Sequence, residues 1–431
     1  MRSLRACRAR TGDFRGWAGA YLDNGLIRLV AVPDIGGRIM AYDLGPYPFV
    51  YVDRDLAGEL FTPEENLGDG SMTAWKNYGG DKTWPAPQGW ETDEQWHGPP
   101  DPVLDTGRYS LGAVQSDGET ATIAMTSPPD DRTGVQITRE ATISRGSSRV
   151  TLRLTFENVI ERPIRWSIWD VIQLQAERRL PDGSLAYEPG CVVTAPVNRE
   201  SRYPRRFNVL FGDEDNPQWQ VDEERGLFVG RYVWEIGKVG IDSPAGWLAF
   251  ANTASGYAFA ERFDVLGSAE YPDDGATVEC WTIGRGQVEG LNYEDSDIYL
   301  MEAEVLSPLY DMGPGEQRSF TITWGACRCP GDLIVDVTEA GCCGQRLSAK
   351  EQGDFVHLTG QFGTFDIGDL VLAWVDEGGR DVAEVDLGPT TPMAAVVVDR
   401  VERRPPGACR AELRVVGAVT GKSETLAAVA V

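Results

Sequence analysis

Apolar residues in this chain recur at every second position over short runs, and the three-to-four-residue spacing of an amphipathic helix is nearly absent. LIRLVAVP, VQITREATIS, RVTLRLTFENV, PIRWSIWDVIQL, GWLAFAN, YAFAERF, DIYLMEAEVLSP and RSFTITWGA are rich in β-branched and aromatic residues and are bounded by Gly, Pro, Asp or Asn. Each reads as a strand, and the chain as all-β. The rhythm pauses between about Gly325 and Leu333, at GACRCPGDL, and resumes in FVHLTGQF, DLVLAWVD, MAAVVVDRV and RAELRVVGAV. A length of 431 residues exceeds one ordinary core. Two domains are expected: residues 1–328 as a large β architecture, and residues 329–431 as an immunoglobulin-like sandwich.

One segment breaks the rhythm. NYGGDKTWPAPQGW, residues 77–90, reads as an irregular loop, too interrupted for a helix or a strand. Trp75, Trp84, Trp90 and Trp96 lie in or beside it. A single tryptophan is ordinarily core, but a loop broken by Gly79, Gly80, Pro85 and Pro87 buries its own backbone only at a cost. Indole faces on a polar loop suit the apolar faces of sugar rings.

Composition narrows the partners. Asp and Glu number 66 against 40 Lys and Arg, a net charge of -26. Such a surface repels phosphate backbones and anionic headgroups, so neither nucleic acid nor membrane is expected as a partner. No apolar h-region follows the N-terminus and no run of 18 apolar residues occurs, which predicts a soluble, cytoplasmic protein. Lysine is scarce, which makes Lys76 and Lys82 in and beside the loop conspicuous. The CRC and GCC clusters lack zinc-ribbon spacing and a nearby histidine, so buried free thiols are expected rather than a disulfide or a metal, and no cofactor is expected.

Read together, PDIGGRIMAYDLG, the loop, and DIYLMEAEVLSPLYDMGPGEQRSFTITW resemble the galactose-mutarotase-like superfamily, and within it a bacterial group sharing the GGRI and NYGGDKTWPAPQ motifs. The resemblance implies a β-supersandwich over most of the first 325 residues, with a carbohydrate held on a concave face. It also implies a glutamate that takes the proton of the anomeric hydroxyl and a histidine that protonates the ring oxygen. Glu302 or Glu304 matches the glutamate, because alternation puts both on one face of a strand. The histidine motif is missing. Only His97 and His357 occur, so Lys82, Asp81, Tyr78 or His97 would have to supply the acid. Arg38 in GGRI could bridge two sugar hydroxyls or a carboxylate, or pair with a nearby acid. Asn77, Tyr78, Asp81, Trp84 and Gln88 of the loop, together with Lys238 and Arg262, complete the candidate binding residues, and Trp169 would line the concave face with Asp170 on the other.

Three functions fit these residues: a sugar epimerase or mutarotase-like isomerase using acid and base catalysis, a uronate lyase or glycoside hydrolase, and a carbohydrate-binding protein without chemistry. Nucleotide-binding, nucleophile-elbow and zinc-protease motifs are absent from the sequence.

Overall fold

The computed structural model describes residues 4–67, 75–87, 100–288, 291–293 and 296–431. Among them, two large antiparallel sheets of 12 and 10 strands face each other across one hydrophobic core, and the α-helical content is the short helix Pro102–Thr106. This is the supersandwich layering that the resemblance implied. No helix among the described residues is long and apolar enough to cross a membrane.

Alternation accounts for the layers. In Val150–Asn158 the even-numbered residues Val150, Leu152, Leu154 and Phe156 are buried, while Thr151 and Arg153 between them are exposed. The 12-stranded sheet opens with the meander Arg8–Phe14, Trp17–Asp23, Ile27–Val32 and Arg38–Leu44. It continues in the order Asp81–Ala86, Ile164–Gln175, Leu300–Leu306, Val278–Thr282, Gly237–Ile241 and Asn208–Gly212. Segments far apart in sequence thus become neighbours at its centre.

The motif read as an irregular loop is a strand over Asp81–Ala86, which corrects the sequence expectation. Gly79 and Gly80 take φ of 87° and 83°, and a Cβ on Gly79 would lie 2.3 Å from the Tyr51 carbonyl oxygen. The chain can turn there only because both are glycine. All six following residues are buried and pair along Ile164–Gln175, from Ile172↔Asp81 to Ser167↔Ala86. On its other side the strand meets Arg38–Leu44 only at Ile39↔Asp81, so Pro85 lies beyond the ladder on that edge and its missing N–H costs nothing there.

Two four-stranded sheets form the C-terminal unit. One joins Asp336–Val337, Gly341–Gln352, Phe355–Thr364 and Val396–Arg403; the other joins Asp381–Thr390, Gly368–Val375, Arg410–Gly417 and Ser423–Ala430. Together they make a small sandwich of the immunoglobulin-like kind. It rests on the outer face of the 10-stranded sheet, where Ala249, Ala251, Ala258 and Ala260 let the layers approach, and shares one apolar cluster with it. All eight cysteines are free, and Cys327, Cys329, Cys342 and Cys343 are buried at this junction.

Candidate functional site

The centre of the larger sheet sorts its polar residues by parity. Asp81, Thr83 and Asp170 point toward the second sheet, where they meet Arg139 from Val135–Ser144. Their alternates, Lys82, Trp84, Trp169, Val171 and Gln173, therefore face away from it. The registers Gln173↔Glu302, Val171↔Glu304, Glu279↔Glu304, Trp281↔Glu302 and Lys238↔Trp281 place three more strands' side chains on that same face.

Two charged groupings result. Lys82 Nζ donates to Glu302 Oε1 at 3.0 Å across 220 residues of sequence, and Gln173 Nε2 donates to the same oxygen at 2.6 Å. Glu302 Oε2 has no hydrogen bond among the described residues, and the side chain keeps 11% of its exposure, against 2% for Lys82. Beside them, Lys238 Nζ stands 2.7 Å from Glu279 Oε2 and 3.1 Å from Glu304 Oε2. Trp169 Nε1 donates to Glu304 Oε2 at 2.9 Å, and the Lys238 ammonium lies 4.2 Å from the Trp169 ring centroid.

Aromatic rings frame both groupings. The centroids of Trp84 and Trp169 are 5.5 Å apart, half-buried Trp75 packs on Trp84, and half-buried Phe211 and Trp281 lie tilted to each other with centroids 5.4 Å apart. Tyr293 is half-buried nearby; burial, and after it the charge of Glu302, push its phenol up to about 12.

Burial sets the electrostatics. It pulls the Lys82 ammonium below its ordinary range, and Glu302 offsets only part of that. For Lys238, burial alone would do the same, but Glu279 and Glu304 together hold its affinity for the proton above normal. Burial raises both of those carboxyls, Glu279 strongly, with Lys238 opposing the rise. Lys238 is consequently a fixed cation, and Glu302 is the carboxylate open to a ligand.

Under this face lies a second buried set. Arg139 pairs with Asp81 and donates to the carbonyls of Gly37 and Asp81 at 2.8 and 3.0 Å, while Thr83 Oγ1 donates to Asp170 Oδ1 at 2.9 Å. Glu261, buried in the strand Tyr257–Phe263, has no hydrogen-bond partner on either carboxyl oxygen among the described residues. Burial first, and Asp170 and Asp81 next, raise its carboxyl well above the ordinary range.

Of the residues singled out from sequence, Lys82, Trp84, Trp169, Lys238, Glu302 and Glu304 come together on this face. Arg38 does not reach it as an open group: it is wholly buried, paired with Asp105 at 2.5 Å and donating to the Gly79 carbonyl at 2.9 Å. Tyr78 is buried against Trp17 and Phe61. Asp81 is buried between the sheets, half-buried Asn77 accepts from the Gly79 N–H at 3.3 Å, and Arg262 pairs with Glu339 on the far side of the second sheet. Gln88 and His97 lie outside the described residues. Gln173, Glu279 and Trp281 were not anticipated, although VECWT and RWSIWDVIQL carry them at the parity that marks the face.

A cavity of about 750 Å³ opens elsewhere, where Arg8–Phe14 and Trp17–Asp23 approach Arg108–Leu111. Asp13, Asp34 and exposed Arg108 line it. It holds no buried ionisable pair, so size and chemistry point to different places, and the chemistry favours the face around Glu302.

Among solved structures, a galactose mutarotase-like protein from Clostridium acetobutylicum is 9% identical, covering 75% of this chain and 99% of its own, with a TM-score of 0.45. The Slr1438 protein from Synechocystis sp. PCC 6803 is 12% identical over 74% of this chain and 99% of its own, also at 0.45. A galactose mutarotase-like protein from Lactobacillus casei is 9% identical over 72% and 99%, at 0.40. These are similarities of broad outline and carry no residue across. No curated protein matches the chain in sequence. The family model DUF4380, described as a domain of unknown function, matches residues 19–326, most of the chain, and the protein belongs to that family.

Proposed function

We propose that the protein binds a carbohydrate against the outer face of its larger sheet and acts on it as a sugar isomerase, with Glu302 as the general base. The support is the way Glu302 is held. One carboxylate oxygen is fixed by Lys82 and Gln173, and the other has no hydrogen-bond partner among the described residues, on a side chain that keeps 11% of its exposure. A carboxylate anchored through one oxygen presents the second in a defined direction, as proton abstraction from a hydroxyl requires. Half-buried Trp281, Trp75 and Phe211 offer apolar surface for a pyranose ring. Tyr293, whose phenol keeps its proton at neutral pH, is a candidate to donate toward a ring oxygen.

A second reading, binding without turnover, is favoured by the same Lys82–Glu302 pair, since an ion pair this buried also serves as a rigid hydrogen-bonding platform. Uronate elimination has weaker support: Arg38 is closed off on Asp105, and Lys238 already faces two carboxylates. Anomer exchange of hexoses and uronates followed by proton NMR decides among these. Isomerase function predicts exchange above the uncatalysed rate that Glu302→Gln abolishes while binding persists. Binding with unaccelerated exchange would leave only the second reading, and no binding across the panel would remove both.

A further inference from the structure

The strand Val396–Arg403 closes one side of its four-stranded sheet. It pairs with Phe355–Thr364 in unbroken register, from Phe355↔Arg403 to Phe362↔Val396, and its opposite edge pairs with no strand among the described residues. Immediately beyond it, the Arg404 N–H donates to the Asp354 carbonyl at 2.9 Å. Hydrogen-bonded pairs in an antiparallel ladder recur at every second residue. The backbone groups of Glu402, Arg400 and Val398 are therefore directed at Phe355–Thr364, and those of Val397, Asp399, Val401 and Arg403 at the free edge.

Open edges are normally blunted by charged side chains, proline or a bulge. Val396–Arg403 has no proline and no bulge, and its four charges, Asp399, Arg400, Glu402 and Arg403, are of both signs. Val397 and Val401 are 64% and 54% exposed, and Phe355, on the same face of the neighbouring strand, is 47% exposed. Charge supplies the specificity. Asp399, Arg400, Val401, Glu402 and Arg403 form a sequence that is complementary to itself when reversed about Val401. An antiparallel second copy with Val401 opposite Val401 sets Asp399 against Arg403 and Arg400 against Glu402 on both sides of the two-fold axis. Moving the axis to Arg400 opposes Arg400 to itself, and moving it to Asp399 opposes two aspartates, each a like-charge contact directly across the ladder. Backbone parity agrees, because Val401 already points its N–H and carbonyl outward.

We propose that two copies of this chain associate through the Val396–Arg403 edge in that register, joining their four-stranded sheets into one continuous antiparallel sheet. The contact is isologous and closes on itself, so it yields a dimer rather than a filament. Asp399, which already lies 2.6 Å from His357 Nε2, would then sit between that imidazole and Arg403 of the second copy. An edge this short falls below the roughly 1,600 Å² of a standard interface, which makes the association a weak one.

Sedimentation velocity over a concentration series tests the proposal. The wild type should rise from the chain mass toward twice that mass. Arg403→Asp, which sets aspartate against Asp399 twice, should weaken association by about tenfold or more. The double variant D399R/R403D restores opposite charges and should recover the dimer, a result that nonspecific stickiness of the valines does not produce. Val401→Cys provides a check that does not depend on affinity. Cα atoms of a hydrogen-bonded antiparallel pair lie about 5.5 Å apart, within disulfide reach, so oxidised glutathione should cross-link V401C and leave the wild type uncross-linked. A wild type that stays monomeric throughout, an R403D variant that associates as the wild type does, a double variant that stays monomeric, or a V401C variant that fails to cross-link would each overturn it.

Discussion

Removing the charge of Glu302 while keeping its shape isolates what the Lys82 pair contributes. At 3.0 Å, two unit charges attract by about 5 kcal/mol at the effective dielectric of about 20 that suits such sites. Glu302→Gln leaves an acceptor for Lys82 but no anion, and the Lys82 side chain is 2% exposed, so water cannot replace the lost partner. Breaking a buried pair from one side costs roughly 3–5 kcal/mol, and the retained acceptor sets the expectation at about 3 kcal/mol. Burial already holds Lys82 below its ordinary 10.5. Losing the anion lowers it further, so the folded variant binds fewer protons than the folded wild type between their two Lys82 values, and the penalty in Glu302→Gln should ease as pH rises through that window. Lys82→Met leaves a carboxylate that keeps some access to water and should cost less, while the double variant K82M/E302Q should recover much of the loss. Urea unfolding of the four proteins gives the coupling energy, expected at about 2 kcal/mol or more. A coupling below about 0.5 kcal/mol, or a penalty in Glu302→Gln indifferent to pH, would show that the pair does not hold the site together.

Further outcomes follow from neighbouring residues. Trp281→Ala should weaken any sugar that stacks on this face by about tenfold, read by calorimetric titration, with circular dichroism unchanged. Gly79→Ala forces a Cβ to 2.3 Å from the Tyr51 carbonyl at a positive φ, and should destabilise by about 2 kcal/mol or more in urea unfolding, since both the backbone strain and the clash act. Glu261 and Asp170 have carboxyls that burial raises well above their ordinary 4.5 and 3.8. The folded state binds the extra protons, so stability should fall as pH rises from those ordinary values through the folded ones, at up to about 1.4 kcal/mol per pH unit for each group. Glu261→Gln should flatten that slope in Tm measured across the window, and a slope unchanged by the substitution would contradict the assignment.

Much of the architecture was legible from period-two alternation, because most strands bury one face and wet the other. Asp81–Ala86 was not. Both of its faces are buried, and both carry polar groups satisfied by distant partners, so DKTWPA shows no alternation and its glycines and prolines read as loop punctuation. The pairing of Glu302 and Glu304 on one face followed from spacing alone. Their division between Lys82 and Lys238 did not, because it depends on registers joining residues 220 apart and more than 60 apart in the chain. Arg38 looked like a ligand group for the same reason: the sequence shows its charge but not Asp105, which arrives from the helix Pro102–Thr106 to bury it. Gln173, Glu279 and Trp281 were within reach, since each shares the parity of a residue already singled out on its own or an adjacent strand.

The most direct test of the central claim is the indole N–H spectrum of ¹⁵N-tryptophan-labelled protein during titration with hexoses and uronates. At least one sugar should shift the Trp169 and Trp281 resonances, assigned by single substitution, while Trp374, buried in the C-terminal sandwich, stays fixed. A panel that moves neither Trp169 nor Trp281, or that moves only indoles remote from Glu302, would contradict it.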